Sequence, residues 1–379
     1  MVAYAEIFGV AAVLTFLLTF PTRRVAVHLG AVVAPDEGRI HVGRMPTIGG
    51  AAMYLAFLVA MAVASLLPSF HQIFHPSSAP LGVVLGATVI FGVGVVDDMR
   101  EVSAPAKLAG TVLAATVMYF LGVTLLYFRI PFAGFVVLGP DLSPLLTALW
   151  VVVMANAINL VDGLDGLATG IVAIGAGSFF LYADRLSHLG LLSADNVGPL
   201  VAVITCGVCV GFLPHNFHPA RIMMGDAGAL FLGLLMAAST MVVGGQTANQ
   251  FQFSGETYFF FAPLFIPFVI LGVPILDFLF AAVRRAVRGG NPAERDLEHL
   301  HHRLMRLGHG QRRSVVILWA WTLLLSGLVL YPVFDLPGSG SANSFVPFGI
   351  LALGVALYTL FHPGIRSGWR ARTAGRSAG

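Results

Sequence analysis

The sequence predicts an all-α polytopic integral membrane protein of about eleven transmembrane helices, with its polar residues gathered on the cytoplasmic face. Three observations predict it. Of 379 residues, 57% are hydrophobic and 10% charged, against about 25% charged in an average soluble protein. A soluble surface needs more charge to stay dispersed, whereas each membrane span needs about 20 apolar residues. The apolar residues fall into eleven separate runs, and the basic residues crowd into loops on one side of them. The length suits many spans and little else, so residues 1–379 are read as a single integral membrane domain.

The runs cover 2–20, 48–67, 80–96, 106–128, 143–158, 167–183, 197–213, 227–245, 258–283, 314–335 and 344–362. The first lacks a basic leading segment and a small-residue cleavage site, so it reads as a span rather than a removable signal peptide. Pro263, Pro267 and Pro274 predict that the ninth is kinked or broken, which neighbouring helices can tolerate by satisfying the freed carbonyls. FRIPFAGFVVLG, at 128–139, alternates apolar residues with Pro and Gly and reads as an external hairpin. Cys206 and Cys209 form a C-x-x-C inside an apolar helix without partner cysteines. They read as small packing residues rather than a redox or zinc pair.

Sidedness follows from charge. Eleven spans place 19 of the 21 basic residues on one side and leave Arg129 and Arg185 on the other. The positive-inside rule makes the first side cytoplasmic. Its loops cover about 21–47, 97–105, 159–166, 214–226 and 284–313, with a tail at 363–379. Two spans separate Arg44 from VVDDMR (95–100), and two more separate Asp98 from Asn159. Two separate Asp165 from HNFHPARIMMGDAG (215–228), and two separate Asp226 from HLHHRL (299–304). Even numbers of crossings return the chain to the same face, so these clusters can form one site.

Each cluster has a chemistry and a plainer alternative. Asp97 and Asp98 end the third span, where membrane acids are usually functional or paired, although a solvated helix end also explains them. Lys107 is the only lysine and follows Asp98 by nine residues. It can return to the same pocket and pair with a phosphate, or serve as an interfacial anchor. In NAINLVDGLDGLATG (156–170), Asn156, Asn159, Asp162 and Asp165 recur every three residues. On a helix they would fall mostly on one face, with Gly163 and Gly166 permitting close backbone approach. A polar helix end accounts for one Asn and one Gly, not for four polar groups. Asp226 adds an acid among small residues. Hard oxygen donors of this kind suit Mg²⁺, which keeps waters and substrate phosphates in its shell.

The 284–313 loop holds eight Arg and four His. Topology and anionic lipid explain the arginines, but not His299, His301 and His302 in one short run. No H-E-x-x-H zinc motif is present. A cap over an anionic substrate fits better.

VVDDMR with Lys107, NAINLVDGLDGLATG, MMGDAGALFLG and HLHHRL resemble, in order, the motifs of the polyprenyl-phosphate N-acetylhexosamine-1-phosphate transferases. PDEGRIHVGRMPTIGG (35–50) resembles that family's first cytoplasmic loop, which carries Arg44. The HLHHRL form is more similar to the bacterial undecaprenyl-phosphate GlcNAc-1-phosphate transferases than to the phospho-MurNAc-pentapeptide branch. The resemblance implies transfer of GlcNAc-1-phosphate from UDP-GlcNAc to undecaprenyl phosphate, releasing UMP, in the inner (cytoplasmic) membrane. It implies Mg²⁺, with Mn²⁺ as a substitute. Asp226 would be the main metal ligand, with Asn159 nearby. Asp97, Asp98 and Lys107 would line the phosphate site. Asp165 would lie near the uridine, and His299 and Arg303 near the sugar, with Arg44, Asn156, Asp162, His301 and His302 completing the substrate site. Family members often carry an aromatic residue three before the metal-binding Asp. Met223 stands there, which weakens the case for a stacking contact with the uracil. The bilayer is the expected partner, a nucleic acid is not, and a homodimer stays open.

Two other classes compete. A transporter would place its acids near the midplane on related repeats. An intramembrane aspartyl protease would need G-x-G-D, where MMGDAG has Met223 in place of the first Gly.

Overall fold

The computed structural model describes residues 1–33, 45–100, 102–130, 134–245, 310–334 and 346–361. Among these residues, ten helices of at least 16 residues coincide with ten of the expected spans. The span over 258–283 lies outside the described residues, as do Arg44, His299, His301, His302 and Arg303. The helices are α1 (Val2–His28), α2 (Gly50–Leu66), the single-turn α3 (His71–Phe74), α4 (Ala79–Arg100), α5 (Ala104–Phe120) and α6 (Leu142–Val161). They continue with α7 (Leu167–His188), α8 (Gly198–Asn216), α9 (Gly225–Gly245), α10 (Gln311–Phe334) and α11 (Val346–Phe361). Six are long and apolar enough to cross a membrane by themselves, or seven if α2 and the segment 68–74, bent by 92°, form one span. The protein is a multi-pass membrane protein.

The α9 helix is the centre of the bundle. Nearly all of its residues are buried, and it packs against α2, α4, α6, α7 and α8. A helix apolar on every side buries well only when surrounded. Small residues let its neighbours close in, as van der Waals packing between membrane helices requires. A Cβ on Gly94 of α4 would collide with the backbone of Ala227. Outer helices behave otherwise. In α1, Val13, Leu17 and Phe20 are exposed, as are Leu108, Val112 and Leu113 in α5. These are surfaces for lipid.

Helix ends depart from the apolar runs where backbone chemistry overrides hydropathy. The α5 helix stops at Phe120, short of the expected 128, at a turn through Gly122 with φ of 90°. The chain then forms a hairpin of β1 (Tyr127–Ile130) and β2 (Gly134–Val137), antiparallel with Tyr127 opposite Val137. The expected hairpin is therefore present. A smaller two-residue pairing joins Val32–Val33 to Met45–Pro46. The α6 helix runs on to Val161, so Asn156 and Asn159 are helical, while Asp162 caps the end.

Candidate active site

Three helix ends meet at one end of the bundle. Asp97 and Asp98 lie in the last turn of α4, Lys107 in the first turn of α5, and Asp226 in the first turn of α9. The short α4–α5 connection is pinned by Asp97 Oδ1, which accepts the Val102 N–H at 2.7 Å. Pro105 in the first turn helps start α5, since its missing N–H has no helical partner there in any case. Lys107 Nζ then lies between two acids, paired with Asp97 Oδ2 and, at 2.6 Å, with Asp226 Oδ2. The Asp97 side chain is 8% exposed and that of Asp226 34%. The acid open to a ligand is therefore Asp226, with Asp97 held behind the lysine.

Asp98 does different work. Its Oδ1 accepts the Asp226 N–H at 2.8 Å and its Oδ2 the Ala227 N–H at 3.1 Å. A carboxylate is favoured at a helix N-terminus, where N–H groups lack helical partners and the dipole is positive. Gly225 makes this possible. Its φ is 72°, and a Cβ there would land on the Asp98 carboxylate.

The stretch from 156 to 170 does not hold its four polar groups on one helix face. Asn156 Nδ2 donates to Val152 O at 2.7 Å within its own helix. Asn159 has no side-chain hydrogen bond among the described residues, which leaves its amide available to a ligand. Asp162 is half-buried by surface but sits deep among packed atoms. This desolvation raises its carboxyl well above the usual range, and the charges of Asp226, Asp98 and Asp165 add to the effect. Asp165 lies in the turn that ends at Gly166, φ 76°, and is drawn to another loop. Its Oδ2 meets His218 Nδ1 at 2.7 Å and the Ala220 N–H at 3.1 Å.

Two side chains of HNFHPA, absent from the candidate site residues read in the sequence, join the loops here. Asn216 is buried, accepts from the Gly166 N–H and Thr169 Oγ1, and donates to Ile222 O. It ties the turn before α7 to the loop before α9. His218 does the same through Asp165. Apart from Ile222, their partners lie 47 to 53 residues away, so no local spacing could show them. The first loop joins this floor too. The Met223 N–H donates to Pro46 O, and the Gly49 and Gly50 N–H groups donate to Met223 O and Met224 O. The α10 helix, which begins within the expected 284–313 loop, starts at the same end, where Arg312 Nε donates to His218 O at 2.9 Å.

Among the described residues, no three His, Cys, Asp or Glu side chains converge as a metal cage. Mg²⁺ does not need one, because it binds through one or two carboxylates, substrate phosphates and waters. The donors here are carboxylate and amide oxygens, the hard ligands that Mg²⁺ takes, and two carboxylates face the single charge of Lys107. These residues fit Mg²⁺, with Asp226 as the accessible carboxylate.

Fold and site thus define a polytopic membrane protein with a carboxylate–lysine cluster at one end of its helix bundle. The chain matches glycosyl transferase family 4 over residues 80–244, a segment that contains Asp97, Lys107, the 156–170 stretch and Asp226. It is 38% identical over 320 residues to the decaprenyl-phosphate N-acetylglucosaminephosphotransferase of Mycobacterium tuberculosis (strain CDC 1551 / Oshkosh), spanning 82% of this chain and 78% of that protein. It is 31% identical over 325 residues to the probable undecaprenyl-phosphate N-acetylglucosaminyl 1-phosphate transferase of Bacillus subtilis (strain 168), spanning 85% and 83%. A phospho-N-acetylmuramoyl-pentapeptide-transferase of Desulforudis audaxviator (strain MP104C) is 31% identical over 354 residues, spanning 85% and 96%. The chain belongs to glycosyl transferase family 4.

Proposed function

We propose that this protein transfers GlcNAc-1-phosphate from UDP-GlcNAc to undecaprenyl phosphate, with its site facing the cytoplasm from the inner membrane. The products are undecaprenyl-diphospho-GlcNAc and UMP, the first membrane step of an envelope-glycan pathway. The names of the Mycobacterium and Bacillus relatives support a polyprenyl phosphate acceptor and an N-acetylglucosamine donor. The observation that carries the reading is Lys107, shared by Asp97 and Asp226 across α4, α5 and α9. An ammonium at a membrane edge, beside a half-open carboxylate, suits a diphosphate with its metal.

In this reaction an oxygen of the lipid phosphate attacks the sugar-bearing phosphorus. The bond from that phosphorus to the UMP oxygen breaks, and UMP leaves with the electron pair. The second pKa of a phosphate monoester is about 6, so the nucleophile is largely ionised at pH 7 and needs little base. Asp97, closed off by Lys107 and the Val102 N–H, orients the lysine rather than removing a proton. Lys107 attracts and neutralises phosphate oxygens. Asp226 and Asn159 would hold Mg²⁺, and Asp98 sets the position of Asp226. When bound, Mg²⁺ supplies charge neutralisation and a template for the diphosphate. His299 and Arg303, in the 284–313 segment, are proposed to meet the sugar.

The test uses purified protein in detergent with Mg²⁺ and undecaprenyl phosphate, offered UDP-GlcNAc or UDP-MurNAc-pentapeptide. UMP release with UDP-GlcNAc alone is the expected result. Release with the pentapeptide donor alone would move the protein to the other branch, the class of the Desulforudis relative. Flux across vesicles without a lipid product would favour a transporter. Decaprenyl phosphate, offered in parallel, reports how strictly acceptor length is read.

A further inference from the structure

The loop 217–220 carries a side chain that the cluster around Lys107 leaves unexplained. Asp165 is buried, its side chain 2% exposed, and its Oδ2 takes both His218 Nδ1 and the Ala220 N–H. A carboxylate only accepts, so Nδ1 carries the proton. The other ring nitrogen, Nε2, has no hydrogen bond among the described residues, and the His218 side chain is 33% exposed. Further bonds fix the loop around the ring. Asn216 braces it from one side, and Arg312 holds the His218 carbonyl from another. A loop tie alone needs no imidazole, since Asp98 makes its own tie with backbone N–H groups only. A carboxylate that fixes one nitrogen of a ring, in a set tautomer, prepares the other for a ligand.

The flanks of the bundle say which ligand. The α5 helix packs on α4 and α6 and exposes Leu108, Val112 and Leu113 in the turns beside Lys107. A prenyl chain can lie there, its phosphate beside the lysine. The α10 helix packs on α7 instead, and Arg312 in its first turn reaches the His218 carbonyl. Arg312 and Arg313, both exposed, make that end of α10 cationic, which suits the phosphates of a nucleotide. In phosphoryl transfer the attacking and leaving oxygens lie roughly in line through phosphorus. If the lipid phosphate enters from the α5 flank, the leaving UMP departs toward the flank away from it, where His218 stands.

We infer that His218 Nε2 contacts the nucleotide half of the soluble donor, with Asp165 as its positioning residue. This rests on the transferase reading above. Neutral, the ring offers Nε2 as an acceptor to a ribose hydroxyl or the uracil imide N–H. Protonated, it offers a donor to the phosphate of UMP.

The decisive variant is His218→Asn. Its amide can replace the Nδ1–H toward Asp165 but has nothing in place of Nε2. Equilibrium binding of UMP to the purified protein is measured beside the two Michaelis constants. His218→Asn should melt as the wild type does, bind UMP about tenfold more weakly and raise KM for UDP-GlcNAc to a similar degree, while KM for undecaprenyl phosphate stays unchanged. Tenfold corresponds to about 1.4 kcal/mol, the scale of one hydrogen bond to a charged or well-oriented group. Undiminished UMP binding, or a lipid KM raised as much as the donor KM, would overturn the inference and leave a loop tie. Should His218→Asn melt early, the wild type decides: UMP should shield His218 from diethyl pyrocarbonate, read by mass spectrometry, and equal modification with and without UMP would overturn the contact. Absence of both UMP binding and UMP release in the wild type would overturn the transferase reading itself, and this inference with it.

Discussion

Asp98 is the residue whose replacement separates support of the site from chemistry in it. Its two oxygens accept two N–H groups in the first turn of α9, from Asp226 and Ala227, at 2.8 and 3.1 Å. Asp98→Asn keeps the shape but turns one accepting oxygen into an NH₂ donor, which then faces an N–H. One charge-assisted hydrogen bond is lost, worth about 1.5–3 kcal/mol. The charge that complements the helix dipole goes too, for about 0.3–1 kcal/mol. Some of this returns, because the Asp98 charge is also repelled by those of Asp226 and Asp97. A net loss of about 1–3 kcal/mol is therefore expected. The effect on rate should be larger than stability alone suggests, because the freed helix start carries Asp226. A misplacement of about 1 Å can lower a rate by about a hundredfold. Thermal unfolding in detergent and the rate of UMP release are the two assays. Asp98→Asn should melt lower and turn over at least about tenfold more slowly, with lipid KM little changed. Gly225→Ala, which sets a methyl against the same carboxylate at φ 72°, should reproduce the defect without removing a charge. Wild-type melting and turnover in both variants would refute the capping role.

Three further outcomes follow from the same cluster. Lys107→Gln should insert and purify but lose more than tenfold in turnover. Activity within about threefold of wild type, below the 1.4 kcal/mol of a tenfold effect, would instead make the lysine an interfacial anchor. Asp226→Asn should be nearly inactive at limiting Mg²⁺, because it keeps size and loses the accessible carboxylate; near-normal turnover there would remove Asp226 from the metal site. Asp162→Asn should stabilise the metal-free protein at neutral pH. Burial, then neighbouring negative charge, raises the Asp162 carboxyl in the folded state, above about 3.9 in the unfolded chain. The folded state thus binds more protons, and stability is lost as pH rises from the unfolded value through the raised one. Melting in EDTA should separate the variant from wild type at pH 8 and bring the two together below about pH 4; a variant less stable at pH 8 would show that Asp162 is stabilising as a carboxylate.

The polytopic class, the approximate positions of ten described helices and the convergence of Asp97, Lys107, Asp162 and Asp226 were legible in the sequence. The reason is physical. Spans are set by local apolar content, and an even number of spans returns the chain to one face. Which nitrogen meets which oxygen was not legible. Asp98 read as a phosphate-site acid, yet its oxygens are taken by the backbone of a helix more than 120 residues later. Asp165 read as part of a continuous polar face, yet the turn at Gly166 carries it to His218.

The amino-acid sequence by itself determined that this chain is a membrane bundle with its acids at one edge, because hydropathy, charge placement and motif order are properties of the chain taken locally. Only the tertiary structure decided the division of labour among those acids: Asp97 behind the lysine, Asp98 on a helix end, Asp165 on an imidazole, Asp226 open. That division depends on close approach between helices far apart in sequence, such as Gly94 against Ala227. Packing of this kind is a sum of short-range contacts, and no single segment carries it.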